Sequence, residues 1–302
     1  MQTVQWNAYA KINAYLEVTG RREDGYHTIL SHMQAVTLHD ALTMTWKACA
    51  STPFSIRLTT SDPSLACDDT NLVCRAATAL IAAAELKGMD TNGLLTVHLQ
   101  KNIPMAAGLA GGSADAAACL HGLNELLGKP FTTQNLCDIG ARLGADIPFC
   151  VRSTTCSAMT ARGIGELLTP AFALSSNIYL VIACHGEGVS TPWAYRRLDE
   201  LGTPDEQETE RQYADYLSAL KTGDLAALAR HTHNCFERVV MPEREAVPML
   251  MAEMARQGAV FARMSGSGPS VVGFFDEQVT AEQCGRALRQ KGICAHVCRP
   301  LA

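Results

Sequence analysis

The run Pro104-Met105-Ala106-Ala107-Gly108-Leu109-Ala110-Gly111-Gly112-Ser113 constrains the fold more than any other part of the chain. It follows the alternating stretch Leu95-Thr96-Val97-His98-Leu99 and leads straight into an alanine-rich segment, Ala114 to Leu127, ended by Gly128-Lys129-Pro130. The period-two stretch predicts a strand and the alanine-rich segment a helix, so the small-residue loop joins the two. Glycines let backbone approach a ligand closely, and a helix start offers unpaired N–H groups at the positive end of its dipole. This is the chemistry of a phosphate cradle, to which Ser113 adds a hydroxyl. It is not a Walker A loop, because no Gly-Lys-Ser/Thr follows, and it is not G-x-G-x-x-G. The same residues also suit a tight turn with close helix packing, as Ala114, Ala116, Ala117 and Ala118 would allow.

The chain has 302 residues, which predicts two domains rather than one core. Ile12 to Val18 reads as a strand, ended by Gly20 and the charged turn Arg21-Arg22-Glu23-Asp24-Gly25. Leu42 to Trp46 and Phe54 to Leu58 read as half-buried strands. Asn71 to Lys87 reads as a helix capped by Asp69 or Thr70 and stopped by Gly88, and Thr133 to Leu143 as another closed by Gly144. The pattern restarts near residue 158, which places the domains at 1–158 and 159–302. Beyond it, Ile178 to Ala183 predicts a buried strand and Pro192 to Leu201 a helix. Thr203 to Glu208 predicts a solvated acidic loop, and Ala214–Leu220, Leu225–Val239 and Arg244–Gln257 predict helices. Strand Ala259–Phe261, a Gly/Ser loop, strand Val271–Phe275, helix Ala281–Gln290 and strand His296–Cys298 together resemble half of a ferredoxin-like α+β sandwich.

Composition excludes several classes. The formal net charge is -5 with no block of Lys and Arg, so neither nucleic acid nor an anionic membrane surface is signalled. A phosphorylated ligand stays possible, since backbone N–H groups alone can hold phosphate. Ala76 to Ala84, the longest apolar run, is too short to span a bilayer, and Met1 to Leu16 lacks the pattern of a signal peptide. The 12 cysteines stand singly, with no C-x-x-C, mostly among Ala, Leu and Val. That predicts reduced, packed thiols in a cytoplasmic protein.

Other residues stand out by their surroundings. Lys11, within Ala10-Lys11-Ile12-Asn13, either snorkels at a strand edge or is set to meet an anion. Asp146, within Leu143-Gly144-Ala145-Asp146-Ile147-Pro148-Phe149, is either a helix cap or a buried, tuned base. Tyr26-His27 is either edge packing or an aromatic platform with a hydrogen-bonding imidazole. Met264-Ser265-Gly266-Ser267-Gly268-Pro269-Ser270 is either a flexible turn or an anion-binding concavity. Gly163-Ile164-Gly165 reads as a kink or turn. His231-Thr232-His233 reads as surface histidines, because residues two apart on a helix face different ways.

Together these segments resemble the galactokinase, homoserine kinase, mevalonate kinase and phosphomevalonate kinase superfamily. Pro-x-x-x-Gly-Leu-x-Gly-Gly-Ser is similar to its ATP-binding motif, Ala-Lys-Ile-Asn to its first motif, and Ser265 to Gly268 to its third. Gly25-Tyr26-His27, the Asp146 segment and Gly188-Val189-Ser190-Thr191-Pro192 resemble the member that serves the non-mevalonate isoprenoid pathway. That member phosphorylates a hydroxyl on a cytidine-diphosphate-linked polyol. The likeness runs in order from residue 8 to about 275.

The resemblance implies an ATP-binding α/β domain and a ferredoxin-like α+β domain with the active site in the cleft between them. It implies ATP and Mg²⁺, Asp146 as the proton acceptor and Lys11 as the residue that orients and polarises the reacting groups. Residues Pro104, Met105, Ala106, Ala107, Gly108, Leu109, Ala110, Gly111, Gly112 and Ser113 would hold ATP, with Lys101 and Asn71 near the adenosine. Tyr26 and Tyr195 would sandwich the cytosine, with His27 and Asn13 on its edge or on the linked sugar. Thr191, Pro192, Ser265, Gly266, Ser267 and Gly268 would complete the substrate site. Ser113 is the candidate Mg²⁺ ligand. Ala106, Ala107 and Ala110 stand where some relatives have glycine. The expected assembly is a monomer or weak homodimer. Homoserine or mevalonate kinase, a decarboxylase on the same scaffold and a non-catalytic ATP-binding regulator are the alternatives, and the aromatic pair argues against a small non-aromatic substrate.

Overall fold

Two strands much longer than the hydrophobic pattern predicts begin the chain in the computed structural model, which describes residues 2–302. Strand β1, Gln2–Arg21, has 20 residues and β2, His27–Ala48, has 22. At the start of β1, ahead of the expected strand, polar and apolar residues alternate, whereas Ala10 to Val18, which contains the expected strand Ile12 to Val18, is buried on both faces. The charged turn joins them as expected: Arg22 N donates to Tyr26 O at 2.7 Å and Gly25 N to Arg22 O at 3.0 Å.

The chain divides into two compact units that interleave along the sequence. The first comprises residues up to Ala10, His39–Met105 and Ala110–Thr155, and the second Lys11–Leu38, Ala106–Leu109 and Cys156–Ala302. In the first unit β3 (Ser55–Thr60), α1 (Leu72–Glu85) and β4 (Gly93–Gln100) form a β–α–β unit with β3 and β4 parallel, Ile56 opposite Leu95. The C-terminal part of β2 pairs antiparallel with β4, Leu42 opposite Leu99. Helices α2 (Gly111–Leu126), α3 (Thr133–Ala141) and α4 (Ile147–Arg152) follow, with α2 packed on α1 and α4. Gly122 lets α2 settle against β2, since a Cβ there would lie 1.7 Å from Met44 Cε. The cap of α1 is Asn71 rather than Asp69 or Thr70: its extended backbone brings Oδ1 to within 2.9 Å of Val73 N.

In the second unit the N-terminal part of β2 pairs with β5 (Ala158–Arg162), Met33 opposite Met159, and β5 with β6 (Leu167–Pro170) across the Gly163–Gly165 turn. The rest of the unit runs β7 (Tyr179–Cys184), α5 (Thr191–Asp199), α6 (Glu206–Thr222), α7 (Leu225–His231), α8 (Glu237–Val240), α9 (Ala246–Arg256), β8 (Phe261–Met264), β9 (Val271–Phe275), α10 (Gln278–Gln290) and β10 (Cys294–Cys298). The last four strands form an antiparallel sheet in the order β10-β7-β9-β8, which is the ferredoxin-like arrangement. Helix α9 packs on β8 and β9, and α10 on β10, β7 and β9.

Two expectations are corrected here. The acidic stretch is not all loop, because Asp205 caps α6 and accepts from Glu208 N at 2.8 Å, so Glu206 and Glu208 open a helix whose dipole favours them. The helix expected over Leu225–Val239 breaks after His231. Leu16 exchanges backbone hydrogen bonds with His233 and Cys235, at 2.8 and 3.0 Å, which holds residues 233–235 extended. The 12 cysteines are all free thiols, seven of them buried, as packing thiols should be. Among the described residues no helix is long and apolar enough to cross a membrane.

Candidate active site

In the first unit, α2 begins at Gly111, three residues earlier than the pattern predicts, because Ala110 takes the left-handed conformation at φ 56° and turns the chain into the helix. No side chain caps this helix, so its first-turn N–H groups face outward with the dipole behind them. Ser113 lies in that first turn, and its Oγ is 4.0 Å from where a Cβ on Gly144 would sit. Asp146 follows two residues on, half-buried at the head of α4, and its side chain makes no cap hydrogen bond.

Lys101 sits beneath the same turn, its Nζ 3.6 Å from the position of a Gly111 Cβ. It is held by two buried carboxylates, donating to Asp40 Oδ2 and, at 2.7 Å, to Asp115 Oδ2. Asp40 also accepts from Ile103 N at 2.8 Å, while Asp115 Oδ1 is buried without a hydrogen bond. Burial pushes the Asp115 carboxyl up to about 8 against the pull of Lys101, with Asp40 adding to the rise. Burial works against the Lys101 charge too, but the two carboxylates outweigh it and leave the ammonium above its ordinary value. Asn71 uses both ends of its amide on the chain, accepting from Val73 N and donating to Ala66 O at 2.6 Å. Pro104 is half-buried and Met105 exposed, just ahead of the turn.

In the second unit the glycine loop meets the Gly/Ser loop. Gly108 has φ +75°, and a Cβ on it would lie 2.3 Å from Ser265 O, so only glycine fits. Ser265 Oγ donates to Gly108 O at 3.2 Å, and Lys11 N donates to Leu109 O at 3.1 Å. Ala106, at φ 50°, also adopts the conformation that glycine favours, whereas Ala107 does not. The Gly/Ser loop is not a flexible turn: Ser265 and Ser267 are buried, and Asn234 Nδ2 donates to Met264 O and Gly266 O at 2.7 and 2.9 Å. Two of its N–H groups are bonded within it, Ser265 N to Ser270 O and Gly268 N to Ser265 O. Thr191, next to Pro192 in the first turn of α5, pairs its hydroxyl with that of Ser267 at 2.8 Å.

Lys11 is 5% exposed, within β1, which removes the edge-snorkelling alternative; its Nζ donates to Asn13 Oδ1 at 2.7 Å. Tyr26 is 62% exposed at the hairpin turn. The His27 ring stacks on that of Tyr195, with centroids 4.5 Å apart, and its Nε2 lies 2.7 Å from Asp199 Oδ1. Phe236 packs edge-on against Tyr195 at 4.9 Å. His233 is half-buried and paired with Glu17 at 2.8 Å, so it is not a surface histidine. Among the described residues no group of three or more His, Cys, Asp or Glu is arranged to hold a metal.

Sequence reasoning missed Asp40, Asp115, Asp199 and Asn234. Asp115 alone carried a usable signal, an acid inside an alanine run; the others are partners supplied by distant segments.

The N-terminal domain of GHMP kinases matches residues 71–154, and their C-terminal domain matches residues 216–294. With an uncapped helix behind a glycine loop and a ferredoxin-like sheet, this defines an ATP-dependent small-molecule kinase. A 4-diphosphocytidyl-2-C-methyl-D-erythritol kinase of Alkaliphilus metalliredigens is 38% identical over 275 residues, 91% of this chain and 89% of the relative. Its counterpart from Gloeobacter violaceus is 38% identical over 301 residues, 99% and 95% of the two chains. A crystal structure of 4-(cytidine 5'-diphospho)-2C-methyl-D-erythritol kinase superposes with a TM-score of 0.77 at 29% identity, covering 99% of this chain and 100% of the other. The chain belongs to the 4-diphosphocytidyl-2-C-methyl-D-erythritol kinase family.

Proposed function

We propose that the protein transfers the γ-phosphoryl group of ATP to the 2-hydroxyl of 4-diphosphocytidyl-2-C-methyl-D-erythritol in the cytoplasm. The observation that carries this reading is the uncapped start of α2, entered through left-handed Ala110 with Ser113 in its first turn. Phosphoryl transfer asks for positioning and charge stabilisation more than covalent chemistry. The backbone of Gly108 to Ser113 cradles the phosphates, and Lys101 and Asn71 shape the floor near the adenosine. Asp146 accepts the proton of the substrate hydroxyl, and Lys11 orients and polarises the reacting oxygens. Asn13, His27 and the aromatic rings of Tyr26 and Tyr195 recognise the cytidine end, with Thr191, Pro192 and Ser265 to Gly268 around the diphosphate and sugar. In this division ATP binding and catalysis lie within residues 1–158, and 159–302 supply most of the substrate contacts.

Mg²⁺ fits these residues as an ion held mainly by the nucleotide, because it keeps waters and phosphates as ligands and takes few from protein. Ser113 Oγ, in the first turn of α2, would be the side chain to contribute. When bound, the ion supplies charge neutralisation on the phosphates.

The test is Asp146→Asn. It should leave the fold and ATP affinity intact and lower turnover on the order of 10²-fold or more, as the loss of a general base does. A folded variant with near-normal turnover would remove Asp146 from that role.

A further inference from the structure

Lys11, Asn13 and Tyr15 lie at alternate positions of β1, and Ser31 lies on β2. Ser31 is 0% exposed, and its single hydroxyl proton goes to Tyr15 O at 2.8 Å. Its oxygen lone pairs are therefore what faces Asn13 Nδ2, also at 2.8 Å. That contact decides which way the Asn13 amide points. With Nδ2 turned to Ser31, Oδ1 must turn to Lys11, where it accepts from Nζ at 2.7 Å. The reverse orientation would set an amide NH₂ against an ammonium and leave Ser31 without a donor to accept. The other end of Asn13 is fixed as well, its backbone N donating to Ser265 Oγ at 3.2 Å. Every member of the chain is buried, and a low-dielectric setting makes a misdirected polar group expensive.

We infer that Ser31 is a positioning residue for phosphoryl transfer: it orients the Asn13 amide and so sets the place of the Lys11 ammonium. The inference rests on Lys11 acting in the reaction, as proposed above. It also accounts for a hydroxyl at a fully buried place in β2, where an apolar residue would otherwise pack.

The test compares Ser31→Thr with Ser31→Val, which share a shape and differ in the hydroxyl. Ser31→Ala, free of overpacking, is read beside them, and thermal melts verify the fold of all three. Lys11→Met is assayed first. If it is near-normal, the reading of Lys11 is wrong and the inference goes with it. If Lys11→Met is inactive, Ser31→Val and Ser31→Ala should lose kcat by roughly tenfold or more, the scale seen when a residue that orients a functional group is removed. Ser31→Thr should keep most of the turnover, and the KM for ATP should stay within about twofold for all three. On an Asn13→Ala background, Ser31→Val should cause no further loss, because Ser31 acts through Asn13. Equal turnover for the Thr and Val variants, or the same loss with and without Asn13, would overturn the inference while leaving the role of Lys11 standing.

Discussion

The imidazole of His27 lies nearly flat on the ring of Tyr195, the planes 19° apart, while Asp199 holds its Nε2. Tyr195 thus carries the imidazole on one face, and Phe236 packs against the same ring. In the function proposed above, Tyr195 also stacks on the cytosine. A stacking ring contributes on the order of 1–3 kcal/mol, so Tyr195→Ala should raise the KM for the cytidine-linked substrate by roughly 5- to 150-fold. The KM for ATP should barely change. Tyr195→Phe, which keeps the ring, should stay close to the parent. Equal rises in both constants in Tyr195→Ala, with a lower Tm, would mark Tyr195 as a packing residue against Phe236.

The interlock of the two small-residue loops predicts an asymmetry between Gly108 and Ala110. Gly108→Ala forces a Cβ to within 2.3 Å of Ser265 O at φ +75°, and should destabilise the protein by about 1–3 kcal/mol and disturb turnover. Ala110→Gly relieves a left-handed alanine at φ 56°, and should leave stability unchanged or raise it by up to about 1 kcal/mol. Urea denaturation of both reads the difference. A stabilised Gly108→Ala or a strongly destabilised Ala110→Gly would contradict it. Gly111→Val is a poor probe of the phosphate cradle, since its Cβ would press on Ile103 Cγ2 at 3.1 Å.

Removing Lys101 should be felt in stability before it is felt in catalysis. Lys101→Met leaves Asp40 and Asp115 buried without their cation, which costs about 3–5 kcal/mol for a broken buried pair. Replacing all three, as Lys101→Met with Asp40→Asn and Asp115→Asn, should recover part of that loss. Denaturation midpoints test this, and an unchanged midpoint in Lys101→Met would show that the triad does not hold the turn.

His32 makes acid stability a diagnostic. It is fully buried, neither ring nitrogen has a hydrogen bond, and burial lowers its pKa to about 3. The folded state therefore favours the neutral ring, whereas the unfolded chain takes up a proton below about 6.5. This contribution is fully present above about pH 6.5 and is lost as pH falls toward 3, by up to about 1.4 kcal/mol per pH unit. Asp115, raised to about 8, acts with the opposite sign, losing stability as pH rises from about 3.8 to 8. The His32 effect is therefore read as the difference between the protein and His32→Leu across pH 4–6.5. A difference that does not grow as pH falls would contradict it.

Much of this was legible from residues close together in sequence. The glycine loop, the alanine-rich helix after it and the β–α–β end of the chain follow from local pattern, and each lies where that pattern puts it within a few residues. Of strand β1 only Ile12 to Val18 was read as a strand, and its alternating, more exposed start from Gln2 was missed. The break after His231 depends on Leu16, more than two hundred residues away, and no local signal announces it. Linear reading could not show that Lys11–Leu38 and Ala106–Leu109 belong to the same compact unit as Cys156–Ala302. Among the candidate site residues, Lys11 and Asp146 stood out as charges in apolar surroundings. Ser31 and Asp199 did not, since their place depends on what the fold brings opposite them.

The central claim is the identity of the phosphoryl acceptor, and a coupled ADP-release assay tests it most directly. The protein is given ATP, Mg²⁺ and, in separate reactions, 4-diphosphocytidyl-2-C-methyl-D-erythritol, homoserine and mevalonate. ADP should appear rapidly with the cytidine-linked acceptor alone, in one-to-one ratio with a product carrying one added phosphate, and should stay at background with the other two. Background release with the cytidine-linked acceptor, or faster turnover of homoserine or mevalonate, would contradict the account.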